Sequence, residues 1–309
     1  MKAGWKCTVL LALSAIACGC GGSRTGVTKT TNVPQVIRPV VKDASVEELV
    51  DRYNQYARSV KTVDATVELK ATSGSKYSGV IEEYHEVKAF LLAARPWNIR
   101  VIGQVPVVGK TVFDMASDGQ NFEVYIPSKD KFLVGAVAVE RPSSKPIENL
   151  RPQHLAEALL WQEVRKEEPV LLEEFNDDTA RYYVVTVLRG GYKTEVFRKI
   201  WFDRTDLHIA RQENFGPKGI LLSDSRFADW QPLTPPNASA NGATSTPPNT
   251  PGDFPRTIRL DRPHDEYRLD LTVSKVTLNE PIGASRFKLE KPENAELVRV
   301  EQATEAKQP

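Results

Sequence analysis

The chain has 309 residues, enough for one large domain or two small ones, and ample to bury a core. Hydrophobic residues make up 40% and charged residues 26%, the balance of a folded protein rather than a disordered one. Lys and Arg number 41 against 40 Asp and Glu, which argues against a protein held to nucleic acid by neutralising phosphates. Cys7, Cys18 and Cys20 are the 3 cysteines, so the chain beyond residue 20 has no disulfide and no cysteine-based zinc site.

Lys2 and Lys6 precede an apolar run, Thr8 to Ala17, that is too short to span a bilayer as a helix. Small residues then run into cysteine in Ala15-Ile16-Ala17-Cys18, with Ala17-Cys18-Gly19-Cys20 as an overlapping register. This end resembles the lipobox of bacterial lipoproteins. The resemblance implies a signal peptide over residues 1–17, cleavage before Cys18 and acylation of that cysteine, with Cys20 as the alternative. Ile16, two positions before the cut, favours Cys18. Each buried CH₂ of an acyl chain contributes roughly 0.8 kcal/mol, so several chains give stable attachment. A plain secreted protein cut near Ala17 is the other reading. Gly19 rather than Asp follows Cys18, which by resemblance to proteobacterial sorting rules implies the periplasmic face of the outer membrane.

Residues 18–43 are rich in Gly, Ser and Thr and read as a flexible tether. A folded domain is expected over residues 44–300, followed by a polar tail at 301–309. Ser45 with Glu48 forms a capping-box pattern, and Val46, Leu49, Val50, Tyr53, Ala57 and Val60 share one helical face. The period then changes to that of a strand: Val63, Ala65, Val67 and Leu69 alternate with Asp64, Thr66, Glu68 and Lys70. Strand-like runs follow at 80–93, 97–103, 111–117, 121–126 and 131–138, parted by Arg95-Pro96, Asp118-Gly119 and Pro127-Ser128. Pro152 opens a second helix with Leu155, Ala158, Leu159 and Val164 at its apolar positions. Strands resume at 170–175, 180–188, 195–202, 207–213 and 219–228. Connections this short imply an antiparallel meander rather than βαβ units. Residues 231–256 hold 7 of the 21 prolines and read as a disordered insert. Strand runs at 256–262 and 266–278 follow, so the insert splits one domain instead of separating two.

Catalytic and metal-binding patterns are missing. Gly103 to Thr111 approaches a phosphate-binding loop, but 5 residues part its glycines instead of 4, and strand-like Val112-Phe113-Asp114-Met115 follows where a helix is needed. His85, His154, His208 and His264 are scattered without metal-ligand spacing. There is no G-x-S-x-G elbow, and the two S-x-x-K matches, Ser73 to Lys76 and Ser128 to Lys131, fall in turn-like stretches without their companion motifs. Glu82-Glu83 reads as a solvated strand face. Neither an enzyme nor a cofactor or metal site is expected.

The apolar residues are the informative ones. Phe90, Leu92, Trp97, Ile99, Val101, Phe113, Met115, Phe122 and Val124 recur at strand spacing, and Trp201, Phe227, Leu269 and Leu271 join them later. They read either as core beneath two helices or as the lining of an apolar interior suited to an acyl chain, which a curved sheet with few helices can leave unfilled. The stretch from Phe90 to Val101, with Arg95-Pro96-Trp97, and the stretch Asp114 to Pro127, with Ser117-Asp118-Gly119 and Tyr125-Ile126-Pro127, resemble the lipoprotein-localisation factors LolA and LolB. Ile200-Trp201-Phe202-Asp203, Ile209 to Glu213 and Ser225 to Trp230 are similar to that family's later strands.

The resemblance implies an α+β, mainly β, fold: a strongly curved antiparallel sheet forming an unclosed β-barrel covered by a few helices. It implies a hydrophobic cavity for the acyl chains of lipoproteins or lipids, here lined by Phe90, Leu92, Trp97, Ile99, Val101, Phe113, Met115, Phe122, Trp201 and Phe227. An anchor at Cys18 matches the membrane-bound LolB arrangement, with a periplasmic carrier protein as partner. Val105-Pro106-Val107-Val108 has the composition of the exposed apolar loop of LolB. The alternative is an envelope scaffold or sensing lipoprotein of the same fold that binds protein partners and transports nothing. Labelled palmitate is expected to enter the wild-type protein and not Cys18→Ala. Labelling that survives there but is lost in Cys20→Ala moves the anchor to Cys20, and labelling indifferent to both refutes it.

Overall fold

The structure is a computed structural model that describes residues 40–75, 79–137, 149–176, 180–190, 193–233 and 251–300. The expected signal peptide, Cys18 and Cys20, most of the tether, the centre of the proline-rich insert and the tail 301–309 lie outside the described residues.

The chain opens with α1 (Val46–Ser59), whose first turn is capped as the sequence indicates: the Ser45 hydroxyl accepts from the Glu48 N–H at 3.2 Å. There follow β1 (Thr62–Ser75), β2 (Val80–Glu83), β3 (Val87–Ala94), β4 (Asn98–Gln104), β5 (Thr111–Ser117), β6 (Asn121–Ile126) and β7 (Lys131–Ala136). α2 (Pro152–Leu159) precedes β8 (Val170–Asn176), β9 (Arg181–Arg189), β10 (Glu195–Asp203), β11 (Ile209–Phe215), β12 (Leu221–Pro232), β13 (Asp253–Arg262), β14 (Tyr267–Leu278) and β15 (Glu296–Arg299). All the strands belong to one sheet in the order β15-β7-β6-β5-β4-β3-β1-β14-β13-β12-β11-β10-β9-β8, with β2 paired to β1 off this path. The sheet does not close, and β8 and β15 are its ends. The mainly β, unclosed-barrel fold is therefore present.

Both helices pack on one face of the sheet, the inner face. Leu49, Tyr53 and Ala57 of α1 and Leu155, Ala156 and Leu159 of α2 share a core with Val63, Ala65, Val67 and Leu69 of β1. Arg95 fastens this layer at one end: its guanidinium donates to the carbonyls of Val60 at 2.8 Å and Trp161 at 2.8 Å, joining the end of α1 to the segment after α2. Burial pulls this guanidinium below its ordinary value, but three backbone carbonyls face it.

The Ser117-Asp118-Gly119 motif is a turn device. One Asp118 carboxylate oxygen accepts from the N–H groups of Gln120 and Asn121, both at 2.8 Å, while the Ser117 hydroxyl donates to the Asn121 carbonyl at 2.8 Å. Backbone hydrogen bonding from Asn121 holds the Asp118 carboxyl below its usual range. Gly119 has φ +91°, and a Cβ there would come within 2.6 Å of Trp97.

Four sequence expectations are corrected. The run 80–93 is two strands, interrupted at Tyr84-His85-Glu86. Val164 lies beyond the end of α2, where its N–H donates to Asn54 at 2.8 Å. The insert is narrower than composition suggests: Gln231 pairs with Phe254 and Pro232 with Asp253, because burial of the Phe254 side chain holds the hairpin and Pro232 stands only at a strand end. Finally, β15 pairs parallel to β7 after a crossing over the outer face, a non-local partnership that alternation cannot reveal. On that crossing Phe287 and Ile282 cover Leu92 and Ala94, and Arg100 donates to the Arg286 carbonyl at 3.1 Å. Phe287→Ala is expected to lower unfolding free energy by about 3 kcal/mol in urea, as for other buried aromatics; a loss under about 1 kcal/mol would show that the crossing only lies on the fold.

Candidate functional site

Register decides which apolar residues face inward. Pairing of Val63, Ala65, Val67 and Leu69 with Ala93, Leu91, Ala89 and Val87 puts the odd-numbered residues of β3 on the inner face. The same ladder carries Ile99 and Val101 inward on β4, then Phe113 and Met115 on β5, then Phe122 and Val124 on β6. Ile99 and Val101 are 0% exposed and Met115 3%, all in the core beneath the helices. Phe113 packs against that core, its ring lying so close over Gly103 that a Cβ would approach it to 2.4 Å. Phe122 is buried beneath the Arg151 guanidinium, 4.5 Å from the ring centre. Phe227 comes inward from β12 and meets Trp161 edge-on at 5.0 Å.

The other four expected residues do not join them. Phe90 and Leu92 have the opposite parity and lie on the outer face, Phe90 with the Lys88 ammonium 5.4 Å over its ring and Leu92 beneath Phe287. Trp201 is outward because its neighbour Ile200 is inward, paired with Val185. Its ring packs edge-on against Phe175 at 5.4 Å and Tyr182 at 5.7 Å, and its Nε1 donates to Glu213 at 2.8 Å. Trp97 is half-buried in the β3–β4 turn. Among the described residues, the inner positions of β4 and β5 are packed core rather than walls of an open chamber.

Across the inner face the chemistry changes. Arg198 of β10 is buried; it donates to the Tyr53 hydroxyl at 2.8 Å, the Asn214 side chain at 3.1 Å and the Gln162 carbonyl at 2.6 Å. Tyr53 in turn donates to Gln212 at 2.9 Å, and Asn214 donates to Ser223 at 3.0 Å. Burial raises the Tyr53 phenol, with Arg198 opposing the shift. Alternation suggests an apolar inner face here too; Gln212, Asn214 and Ser223 at inward positions signal that it is not.

Two features are open to solvent. A groove of about 570 Å³ lies where the end of α1 meets the β10–β11 turn and the start of β13. Tyr56, Leu207, Ile209 and Trp230 line it together with Arg52, Arg58, Lys61, His208 and Asp253. The His208 ring stacks on Trp230 at 4.8 Å, its Nε2 is 3.2 Å from Asp253, and Trp230 Nε1 donates to the Ile209 carbonyl at 3.2 Å. Burial, with Asp253 nearby, drives the Tyr56 phenol strongly upward. Its lining is divided between apolar and charged side chains. Apart from Ile209 and Trp230, at the ends of two quoted motifs, nothing in the sequence pointed to it.

The second feature is at the opposite end of the sheet, where β4 turns into β5. Val107 there is fully exposed and Val108 is 76% exposed. Val107 has φ +70°, a left-handed conformation that a β-branched residue rarely adopts. Exposed Val80 and Ile81 of β2, and Ile220 and Leu222 around the start of β12, share this end of the sheet. The Gly103–Thr111 stretch is thus a hairpin and not a phosphate loop.

No family model matches the chain, and no curated protein matches it. Solved structures that match include a LolA superfamily protein from Nitrosomonas europaea, 11% identical, covering 80% of this chain and 99% of that one with a TM-score of 0.44. A putative outer membrane lipoprotein-sorting protein domain from Vibrio parahaemolyticus is 10% identical, with 79% and 97% covered and a TM-score of 0.44. A DUF1329 family protein from Desulfovibrio piger is 12% identical, with 78% and 94% covered and a TM-score of 0.43. These TM-scores describe a loose likeness of arrangement.

Met115→Glu tests whether the inner face has room. A carboxylate at this position meets packed aliphatic groups, so a loss of more than about 3 kcal/mol and collapse of cooperative unfolding are expected by circular dichroism. Near wild-type stability would show free space beside β5.

Proposed function

We propose that this chain is a lipid-anchored envelope protein, held through Cys18 or Cys20 at the periplasmic face of the outer membrane, that handles acyl chains of lipoproteins or lipids. Its role on this reading is binding and not catalysis, and its partners are a bilayer surface and a periplasmic carrier protein. The observation that carries the proposal is the strained, fully exposed Val107 on an apolar hairpin tip, at a sheet end that also exposes Val80, Ile81, Ile220 and Leu222. Exposed apolar groups such as Val107 and Val108 are costly in water and are removed from it by contact with lipid. The sequence resemblance supplies the ligand class.

A second reading, a scaffold or sensor that binds protein partners, is favoured by the packed inner face under α1 and α2. Flotation with phosphatidylcholine vesicles separates the two, using chain that lacks the first 20 residues. Partition into vesicles is expected, and Val107→Asp should weaken it by about tenfold, the effect of losing one well-buried apolar side chain. A fluorescent fatty-acid analogue should bind the folded chain saturably. Folded protein that takes up neither vesicles nor probe would leave the scaffold reading.

A further inference from the structure

β8 is one end of the open sheet, and nothing in its sequence blunts that edge. Its 7 residues, Val170 to Asn176, include no proline and no lysine, and its ladder with β9 runs without a bulge. Those are the ordinary devices that keep a free strand from recruiting another. Leu171, Leu172 and Phe175 are instead 56%, 39% and 44% exposed. β15, at the other end of the sheet, has only 4 residues.

The phase of the ladder fixes which main-chain groups of β8 are free. The Leu188 N–H donates to the Pro169 carbonyl at 2.9 Å, and Val170 pairs with Val187 at the next position. Bonded and non-bonded pairs alternate along an antiparallel ladder. Leu171, Glu173 and Phe175 therefore bond to Thr186, Val184 and Tyr182. Val170, Leu172 and Glu174 direct their N–H and C=O groups away from β9, where no partner meets them among the described residues. Their side chains belong to the inner face, since Leu172 pairs with Val185 and Val185 with inward Ile200. Leu171, Glu173 and Phe175 share the outer face with Tyr182 and Trp201.

We propose that the free edge of β8 pairs with the same edge of a second copy of this chain, antiparallel about a two-fold axis at Leu172. Such an axis joins one patch to itself and keeps outer face with outer face. Centring it on Leu172 sets Leu171 opposite the partner's Glu173 and Val170 opposite the partner's Glu174. Centring it on Glu173 or Glu174 would face carboxylate with carboxylate, which destabilises a strand pair. Centring it on Leu171 would run Glu174 past the end of the partner's strand. About Leu172, the free groups of Val170, Leu172 and Glu174 are all used, in reciprocal pairs. Charge favours a second copy over a basic peptide. Glu173 already has the Lys199 ammonium at 3.8 Å, and Glu174 has Arg204. A peptide rich in lysine or arginine would compete with these cations, whereas a second copy brings each carboxylate with its own. A ladder this short belongs with interfaces under about 1,200 Å², which are weak and transient, so the dimer forms at high protein concentration. The inference goes beyond the proposed function and does not depend on it.

Sedimentation of chain that lacks the first 20 residues, and so keeps every described contact, tests it over about a hundredfold range of concentration. The average mass should rise toward that of a dimer. Leu172→Pro removes an N–H that points away from β9, spares the bonds to β9 and should abolish the rise. Leu171→Lys puts a cation opposite the partner's Glu173 and should tighten association about fivefold, while Leu171→Glu should weaken it by as much. Amide exchange resolved to single residues needs no variant. Raising the concentration should protect Val170, Leu172 and Glu174, while Leu171 and Glu173, already bonded to β9, change little. Should Leu172→Pro fail to fold, the exchange pattern and the two Leu171 variants decide. A mass that does not change with concentration, association retained by folded Leu172→Pro, or protection gained only away from β8 would each overturn the proposal.

Discussion

A continuous open sheet has one inner face, and among the described residues α1, α2 and the segment after α2 dry it. Most other features answer that constraint. The helices bring their largest apolar groups to the same place: Tyr53 stacks on Trp161 at 5.6 Å and Tyr56 leans on the same ring at 4.6 Å. Burying a large apolar side chain contributes roughly 1.5–3 kcal/mol, so this aromatic layer adds to the aliphatic contacts of the core. Because Trp161 packs on α1 and its Nε1 donates to the Ala158 carbonyl of α2 at 2.8 Å, α1 and α2 are not independent covers. The segment after α2 must stay in place for α1 to remain dry.

Much of the sheet was legible in the sequence, since a period of two survives wherever one face is wet and the other covered. β5 and β6 fall at the expected residues, and β1 shows its alternation directly. The reading faltered where both faces are buried. β3 reads as a continuous apolar run, Phe90-Leu91-Leu92-Ala93-Ala94, because the crossing that carries Phe287 covers its outer face as α1 and α2 cover the inner one. Hydrophobicity alone then cannot assign parity, which is why Phe90 and Leu92 pass for inner-face residues in the sequence. Trp201 misled differently, since a large aromatic residue reads as core although here it forms an outer cluster with Phe175 and Tyr182. The groove was out of reach because its lining comes from α1, the β10–β11 turn and the β12–β13 hairpin, which only the folded register brings together.

The S-D-G motif shows how a sequence pattern can carry a resemblance without carrying a site. Its three residues satisfy the hydrogen bonds of one tight turn and let Trp97 pack against a glycine. That is enough to preserve the pattern wherever two such strands meet at such an angle, whatever the protein binds. Function in this fold has to be sought where side chains do more than hold the sheet together. The strained Val107 tip is one such place, and the exposed side chains along β8 are another.

The inner face is chemically divided, and the division limits what an opened interior would accept. On the β1 and β3–β5 side it presents the aliphatic groups of Val63, Ala65, Leu91, Ile99, Val101 and Met115. On the β10–β12 side Arg198, Gln212, Asn214 and Ser223 form a closed set of hydrogen bonds with Tyr53. An apolar guest pressed against that second wall would strand buried donors and acceptors, at about 1–3 kcal/mol for each group and more for a guanidinium. The same network holds α1 to the sheet through its Tyr53 hydroxyl, so displacing α1 would break the wall that it completes. α2 meets the sheet differently, through aliphatic contact with β4 and β5. The chain just after α2 belongs to the same wall, since Arg198 also donates to the Gln162 carbonyl at 2.6 Å, so neither helix is separable from the network.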